Sequence, residues 1–115
     1  KSEGIFSMYD LDIKEEADKI FYKLAKKNPQ QLIIINKKIK EIRNNPYHDY
    51  KFLRSPLQGF NRVHIDKHFV LIFKINHEQK LVIVYYYDHH DYVYQWQPRA
   101  ERGSPFSSQL MSSDL

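Results

Sequence analysis

The chain has 115 residues, which suffices for one compact domain and is too short for two separate cores. Its hydrophobic content of 42% excludes a wholly disordered chain, and the absence of cysteine excludes a disulfide framework, a thiolate nucleophile and a Cys-ligated zinc ion. No apolar run approaches the roughly 18–20 residues that span a bilayer, so we expect no membrane partner, and the net charge of +4 favours an anionic one.

The two ends of the chain differ in pattern from its middle. Met8 precedes the first patterned segment and is a candidate for the natural start. Residues 97–115 hold five Ser, two Pro and one Gly without an apolar period, which is typical of a segment that forms no core. We therefore expect one domain over residues 8–96 and a disordered or vector-derived tail over residues 97–115.

An alternating pattern at residues 8–13 predicts a half-buried strand, because apolar side chains occupy every second position. Asp12 followed by Glu15 resembles a capping box, so we expect a helix to start near Lys14. The next apolar residues recur with the spacing of one helix face: Ala17, Ile20, Phe21, Leu24 and Ala25. The Lys-Lys-Asn-Pro sequence at residues 26–29 predicts the end of this helix.

A second helix is predicted directly after Asn28, because proline suits the first helical turn. Its inner face is expected to carry four apolar residues at helical spacing: Leu32, Ile35, Ile39 and Ile42. The three consecutive isoleucines at residues 33–35 would suit a strand equally well, but the spacing on both sides favours a helix that ends at residues 43–46. The link between the two helices is tight, so we expect an antiparallel hairpin.

Three strand patterns follow a loop that is predicted over residues 46–59. They cover residues 61–66, 68–75 and 81–87, and the last is apolar throughout, as expected for a central strand covered on both faces. The predicted element order is therefore β-α-α-β-β-β. This order indicates an α+β fold in which a two-helix hairpin packs on a small, mostly antiparallel sheet.

A basic stretch runs from Lys37 to Lys67, where eight Lys and Arg residues stand against three Asp and Glu residues, a net charge of +5. Aromatic residues are interleaved with these cations: Tyr47, Tyr50, Phe52 and Phe60. Cations for phosphates and aromatic faces for stacking are what single-stranded nucleic acid requires. Lys51, Arg54 and Lys67 are the candidate phosphate-binding residues, and an ordinary solvated surface is the alternative.

The sequence Arg-Val-His-Ile-Asp in the second predicted strand places Arg62, His64 and Asp66 on one face, since every second residue points the same way. We expect the helices to cover the opposite face, which leaves these three residues on the open side of the sheet. A cation, an imidazole and a carboxylate in one row suit phosphate binding and proton transfer. The alternative is an ordinary polar outer face.

The sequence Asp-His-His-Asp-Tyr-Val-Tyr at residues 88–94 follows the last predicted strand. Histidine has an unperturbed pKa of about 6.5, so it can both accept and donate a proton at neutral pH. A metal site is a weak interpretation, because His89 and His90 point in opposite directions in an extended chain and no helical pair of ligands is present. We therefore expect no metal site and no cofactor.

Together these features resemble the RelE/ParE toxin superfamily over residues 8–96. The resemblance rests on the element order, the helix end at residues 39–47, the Pro-Leu-Gln-Gly sequence at residues 56–59 and two strand motifs. It is closest to a RelE-like subgroup with an Arg-Val-His-Ile-Asp strand, here residues 62–66, and a His-His-Asp motif, here residues 89–91.

The resemblance implies the toxin of a type II toxin–antitoxin pair. RelE-like members are endoribonucleases that cut mRNA, typically in the ribosomal A site, by a metal-independent attack of the ribose 2′-OH on the adjacent phosphorus. RelE proper carries two lysines where this chain has Arg62 and His64, and a catalytic arginine where it has Val70. The implied roles are Arg62 for the phosphorane charge, His64 as the base, and His90 or its neighbour His89 as the acid.

Tyr94 matches the closing tyrosine of the family and is expected to orient or stack. The implied partners are an antitoxin, mRNA and the ribosome in the cytoplasm, with operator DNA bound only through the antitoxin complex. A ParE-like toxin that acts on gyrase by protein binding is one alternative. A catalytically decayed RNA-binding homologue is another, because Val70 replaces a cation that a Val70→Arg exchange is expected to restore.

Overall fold

Residues 8–54 and 57–98 are described by the structure, a computed structural model in which two helices cover one face of a five-stranded sheet. The elements are β1 (Asp10–Ile13), α1 (Glu15–Lys27), α2 (Pro29–Asn44), β2 (Lys51–Phe52), β3 (Asn61–Ile65), β4 (Phe69–Asn76), β5 (Leu81–His89) and a 3₁₀ helix (Val93–Gln95). The predicted α+β fold with a helix hairpin on a mostly antiparallel sheet is confirmed. Within the described ranges, no helix is both long and apolar enough to cross a membrane.

The sheet has the strand order β1-β5-β4-β3-β2. β1 runs parallel to β5, which is possible because the helix hairpin carries the chain back across the sheet, and the other neighbours are antiparallel. β2 lies inside the segment that was predicted as a loop, where Lys51 pairs with Arg62 and Phe52 with Asn61. A strand of two residues is too short to show an alternating pattern, so the sequence does not reveal it.

The start of α1 differs from the prediction. Asp12 does not cap the helix, because it remains in β1, opposite Ile83, and the chain stays extended as far as Lys14. The N–H of Lys14 donates to the carbonyl of Val84 at 2.8 Å, so pairing with β5 decides where the helix begins. Asn28 is a true cap instead, since its side-chain oxygen accepts from the N–H of Gln31 at 3.3 Å at the start of α2.

The main core lies between the helices and the sheet. Its buried apolar side chains are Tyr9, Ala17, Phe21, Ile35, Ile39, Ile42, Ile65, Leu71, Phe73, Val82, Val84 and Tyr87. Ala25, which was predicted on the inner face of α1, is exposed, and the isoleucines at residues 33 and 34 are exposed on α2. Gln31 is buried and donates from Nε2 to the hydroxyl oxygen of Tyr87 at 2.7 Å, while burial raises the pKa of Tyr87 to about 12.

A smaller core covers part of the face of the sheet opposite the helices, which we call the open face. It consists of Leu53, Leu57, Phe60, Val70, Ile72, Val93 and Trp96. A β-bulge between β4 and β5 leaves Tyr85 without an opposite residue, so that Tyr85 and Tyr86 both pack against this second core. The described part of the predicted C-terminal tail ends at residue 98, and the rest of the tail lies outside the described residues.

Candidate functional site on the open face

The outer side of β3 carries the first part of the site. Val63 and Ile65 pack toward the helix-covered core, so Arg62 and His64 lie on the open face, as predicted. Asp66 does not continue this row, because β3 ends at Ile65 and Asp66 occupies a turn with a φ of 51°. A turn of this left-handed kind interrupts the alternation on which the prediction of three aligned side chains depended.

Arg62 and Tyr94 form the closest contact among the predicted site residues. Nη1 of Arg62 donates to the hydroxyl oxygen of Tyr94 at 3.2 Å, and the guanidinium carbon lies 6.0 Å from the centre of the tyrosine ring. The two residues are 32 positions apart in sequence, so this contact depends on the path of the chain after β5. The motif at residues 88–94 therefore contacts β3, through Tyr94.

The segment around the 3₁₀ helix is anchored on both sides of Tyr94. Val93 is fully buried in the second core. The ring of Trp96 stacks on Tyr86 with 5.3 Å between ring centres, and its Nε1 donates to Oε1 of Glu16 at 3.0 Å. These contacts fold the segment back over the open face and bring the Tyr94 hydroxyl to Arg62.

A cavity of about 330 Å³ opens beside β2 and β3. It is lined by His48, Asp49, Tyr50, Lys51, Arg62, Val63 and His64. His48, Asp49 and Tyr50 directly precede β2, and the pairing of Lys51 with Arg62 brings this segment to the side of β3. Sequence reasoning missed His48 and Asp49, and the only signal for them was their position just before the candidate Lys51.

Two of the predicted phosphate-binding residues lie outside this cavity. Arg54 is exposed in the loop after β2, and Lys67 is exposed in the turn between β3 and β4 with a φ of 70°. Among the described residues, Lys51 is therefore the predicted phosphate-binding residue that lines the cavity with Arg62 and His64. Arg54 and Lys67 extend the positive surface on either side of it.

The predicted acid–base pair, His64 and His90, is separated in the sheet. His64 pairs with Val70, and Val70 pairs with Asp88, so His64 and Asp88 lie two strand spacings apart, about 10 Å. His90 follows two residues further along, beyond the end of β5. The side chain of Asp88 accepts a hydrogen bond from the hydroxyl of Tyr86 at 2.8 Å. Burial, and after it this hydrogen bond, raises the pKa of Tyr86 to about 12.

Val70 lies between His64 and Asp88 in the sheet and is fully buried in the second core. This burial argues against the expectation that an arginine at this position would restore a missing catalytic cation. An arginine there would place a much larger, charged side chain among the apolar side chains of Val93 and Trp96, with Asp88 as its cross-strand neighbour. On the neighbouring strand β3, Arg62 pairs with Ile72, and its guanidinium contacts Tyr94.

Three histidines meet at the end of the sheet where β5 finishes. His90 lies in a turn, so it does not point away from His89 as an extended chain would require, and the two rings stack with 4.7 Å between centres. The ring of His68, from the turn between β3 and β4, stacks on both of them at 6.0 and 6.2 Å. The geometric argument used against a metal site is therefore wrong for this pair.

Solved structures of toxins share this fold. Our structure superposes on the toxin–antitoxin complex RelBE2 of Mycobacterium tuberculosis with a TM-score of 0.61, 22% identity and coverage of 71% of this chain and 91% of the other. A mutant of the E. coli toxin RelE in the free state gives a TM-score of 0.62 at 21% identity, with coverage of 76% of this chain and 90% of the RelE chain. The fold is therefore that of toxins from toxin–antitoxin pairs.

Sequence relatives identify the family, although no family model matches the chain. A protein of Methanocaldococcus jannaschii named "Putative toxin RelE4" is 49% identical over 88 residues, which cover 76% of this chain and 93% of the relative. A protein of uncharacterised function from Methanosarcina mazei is 54% identical over 87 residues, which cover 76% of this chain and all of the relative. The chain belongs to the RelE family of toxins.

Proposed function

We propose that this toxin is a metal-independent endoribonuclease that cleaves mRNA at the ribosome, by attack of a ribose 2′-hydroxyl on the adjacent phosphorus. The observation that carries the proposal is the contact of Arg62 with Tyr94 beside His64, on an open, positively charged face. Such a reaction needs a base for the 2′-hydroxyl, a cation for the phosphorane and an acid for the leaving 5′-oxygen. It leaves a 2′,3′-cyclic phosphate.

Arg62 supplies the charge for the phosphorane. A guanidinium group has five N–H donors in a planar fork, and Tyr94 accepts from one nitrogen, which leaves donors for two phosphate oxygens. Arg62 is half-buried, so its side chain is held in place before RNA arrives. Donors that are fixed in advance are worth most in the transition state, because they need no reorganisation when the charge develops.

His64 acts as the base for the 2′-hydroxyl. It is exposed on the open face, two residues from Arg62 on the same strand, at a spacing of about 7 Å along the chain. Asp49 lines the same cavity and is the carboxylate available to orient the imidazole, in place of the Asp66 that the sequence suggested. A carboxylate beside the base stabilises the imidazolium that forms when the proton is taken.

Two imidazoles are candidates for the acid that protonates the 5′-oxygen. His90 is the one implied by the resemblance, and it lies across β4 from His64, beyond the end of β5. His48 is the one favoured by the cavity, which it lines together with His64. The scissile phosphate would lie between His64 and the acid, so the two candidates imply RNA paths in opposite directions from His64.

Lys51 binds the phosphate next to the scissile one, and the exposed Arg54 and Lys67 bind phosphates further along the strand. The ring of Phe52 is 63% exposed beside Lys51 and offers a face on which a base can stack. We also propose an antitoxin partner that covers this face, supported by the occurrence of the same fold in a toxin–antitoxin complex. Its carboxylates would pair with the cations that bind RNA.

The test incubates the purified protein with mRNA, with and without ribosomes, and identifies the ends of the products. We expect fragments with a 2′,3′-cyclic phosphate, unchanged cleavage in EDTA, and no cleavage at a site where one 2′-deoxy nucleotide replaces the ribonucleotide. A requirement for a divalent ion would contradict the mechanism. Intact RNA together with inhibited supercoiling in a gyrase assay would contradict the mechanism and support a ParE-like toxin that acts by protein binding.

A second function is favoured by one observation, the burial of apolar Val70 where RelE proper carries an arginine. On this alternative the chain binds RNA through the same surface without cutting it. RNA binding that depends on Lys51 and Arg62, with no products in the presence of ribosomes, would establish it. Toxicity in cells that express the chain without an antitoxin, accompanied by cut mRNA, would exclude it.

A further inference from the structure

We infer that the three histidines at the end of the sheet, His68, His89 and His90, form a binding site for a divalent transition metal such as zinc. Each imidazole offers one nitrogen, and these three nitrogens lie within 4.8 Å of one another. Imidazole is a preferred ligand of zinc, nickel and copper, and three histidines with a water molecule make a complete tetrahedral zinc site. This site goes beyond the proposed ribonuclease and does not depend on it.

The backbone holds two of the ligands at a fixed separation. The N–H of His90 donates to the carbonyl of His68 at 2.8 Å, which ties the turn between β3 and β4 to the end of β5. Zinc–nitrogen bonds of about 2.0 Å at tetrahedral angles need ligand nitrogens roughly 3.3 Å apart. Rotations about side-chain bonds that move each nitrogen by roughly 1 Å therefore close the site around a metal.

Asp91 is placed to orient two of the rings. Its carboxylate lies 3.3 Å from Nδ1 of His90 and 3.5 Å from Nδ1 of His89. A carboxylate that holds Nδ1–H leaves the Nε2 lone pair free to bind a metal, which is the usual arrangement around zinc-bound histidine. The N–H of Asp91 donates to Nδ1 of His89 at 3.1 Å, so metal binding through Nε2 would shift this ring from the backbone to the carboxylate.

Acidic residues flank the three histidines in the chain. Asp66 and Lys67 precede His68, and Asp88 and Asp91 stand on either side of His89 and His90. His68 is exposed, so a metal ion reaches the site from solvent without any movement of the core. The other two rings are partly covered, which limits the number of positions that they can adopt.

Occupancy would have a structural consequence. A metal bridging His68 to His89 and His90 would cross-link the β3–β4 turn, which carries Lys67, to the chain that leads to Tyr94. It would also take the lone pair of His90. If His90 is the acid of the ribonuclease, the metal would inhibit cleavage, which is the opposite of the effect of a catalytic metal.

The test is a direct measurement of metal affinity on the full chain without a histidine tag, by competition with a chromophoric zinc chelator and by the visible spectrum of bound Co²⁺. We expect one equivalent of zinc to bind and Mg²⁺ not to compete, because hard cations prefer oxygen ligands. His68→Ala and His90→Ala should each lower the affinity at least tenfold. Asp91→Asn should lower it about 10- to 100-fold, the usual effect of removing a carboxylate that orients a ligand.

The matched control is His77→Gln, which removes an imidazole from the turn at the opposite end of β4 and should leave zinc affinity unchanged. Thermal unfolding of each metal-free variant confirms that it is folded before titration. Unchanged affinity in both His68→Ala and His90→Ala would overturn the site. A Co²⁺ spectrum typical of octahedral oxygen ligands would also overturn it, whatever the result of the RNA cleavage assay.

Discussion

The two faces of the sheet are covered in different ways, and the difference locates the site. The helix-covered face is apolar along its length, from Phe73 at one end to Ile65 at the other, and Gln31 is satisfied there by Tyr87. The open face is covered only in part, by Leu53, Leu57 and Phe60 and by a segment of a few residues that includes Val93 and Trp96. Alternation along the same strands therefore produces one surface that stabilises the fold and another that keeps cations and imidazoles accessible.

The largest expected effect is on catalysis at the polar part of the open face. His64→Ala should lower the rate of RNA cleavage about 10²- to 10⁴-fold, the usual contribution of a positioned base, with little change in thermal stability because the side chain is exposed. Cleavage rates of His48→Ala and His90→Ala, measured in the same way, identify the acid. Wild-type rates in all three variants would show that the open face is not the catalytic surface.

A charge placed in the apolar part of the open face should destabilise the protein instead of adding a catalytic group. Val70→Arg is expected to lower the free energy of unfolding by about 3 kcal/mol, because Val70 is fully buried and the much larger arginine side chain would overpack the second core even with Asp88 as its cross-strand partner. Urea unfolding measures the loss. The matched control is Ile33→Arg on the exposed side of α2, where the change should stay within about 0.5 kcal/mol. Equal stability of the two variants would contradict the burial of Val70.

The segment that carries Val93, Tyr94 and Trp96 links the apolar second core to the polar part of the open face. Trp96→Ala should lower the free energy of unfolding by about 3 kcal/mol, because it removes a buried ring that stacks on Tyr86. It should also lower cleavage, since Tyr94 is no longer held at Arg62. Tyr94→Phe is the comparison: it keeps the fold and removes only the hydroxyl. Full activity in Trp96→Ala would mean that Arg62 is positioned by something other than this segment.

The smallest expected effect is on RNA affinity. Lys51→Ala should reduce the slope of log affinity against log salt by about 0.7, the contribution of one single-strand phosphate contact. Lys23→Ala, on the exposed side of α1, should leave the slope unchanged. Fluorescence anisotropy with a short RNA at several salt concentrations measures both. Identical slopes for the two variants would show that the basic stretch is an ordinary solvated surface.

Local periodicity predicted what depends on neighbouring residues. The alternation of β3 placed Arg62 and His64 on the open face, and the helical spacing of Ile35, Ile39 and Ile42 gave the inner side of α2. Each pattern depends only on residues that are close in sequence, so the folded chain shows the same inner and outer positions. The resemblance of the strand motifs to RelE toxins gave the family, which the relative from Methanocaldococcus jannaschii supports.

What the sequence did not predict depends on residues that are distant in the chain. Asp12 failed as a helix cap because pairing with β5 keeps it in a strand. Val70 is buried by Val93, and His48 reaches the cavity only because β2 pairs with β3. The argument against a metal site assumed that His89 and His90 are extended, but His90 lies in a turn after β5, and this brings its ring onto His68.

The most direct test of the central claim, that the polar part of the open face performs the chemistry, is the cleavage rate of Arg62→Ala beside wild type. The exchange removes the cation that Tyr94 holds for the phosphorane, so the rate should fall about 10²- to 10³-fold, as when one preorganised donor is removed from an oxyanion site. Arg62→Lys should recover part of it, because a lysine keeps the charge without the fork. A wild-type rate in a correctly folded Arg62→Ala variant would contradict the account.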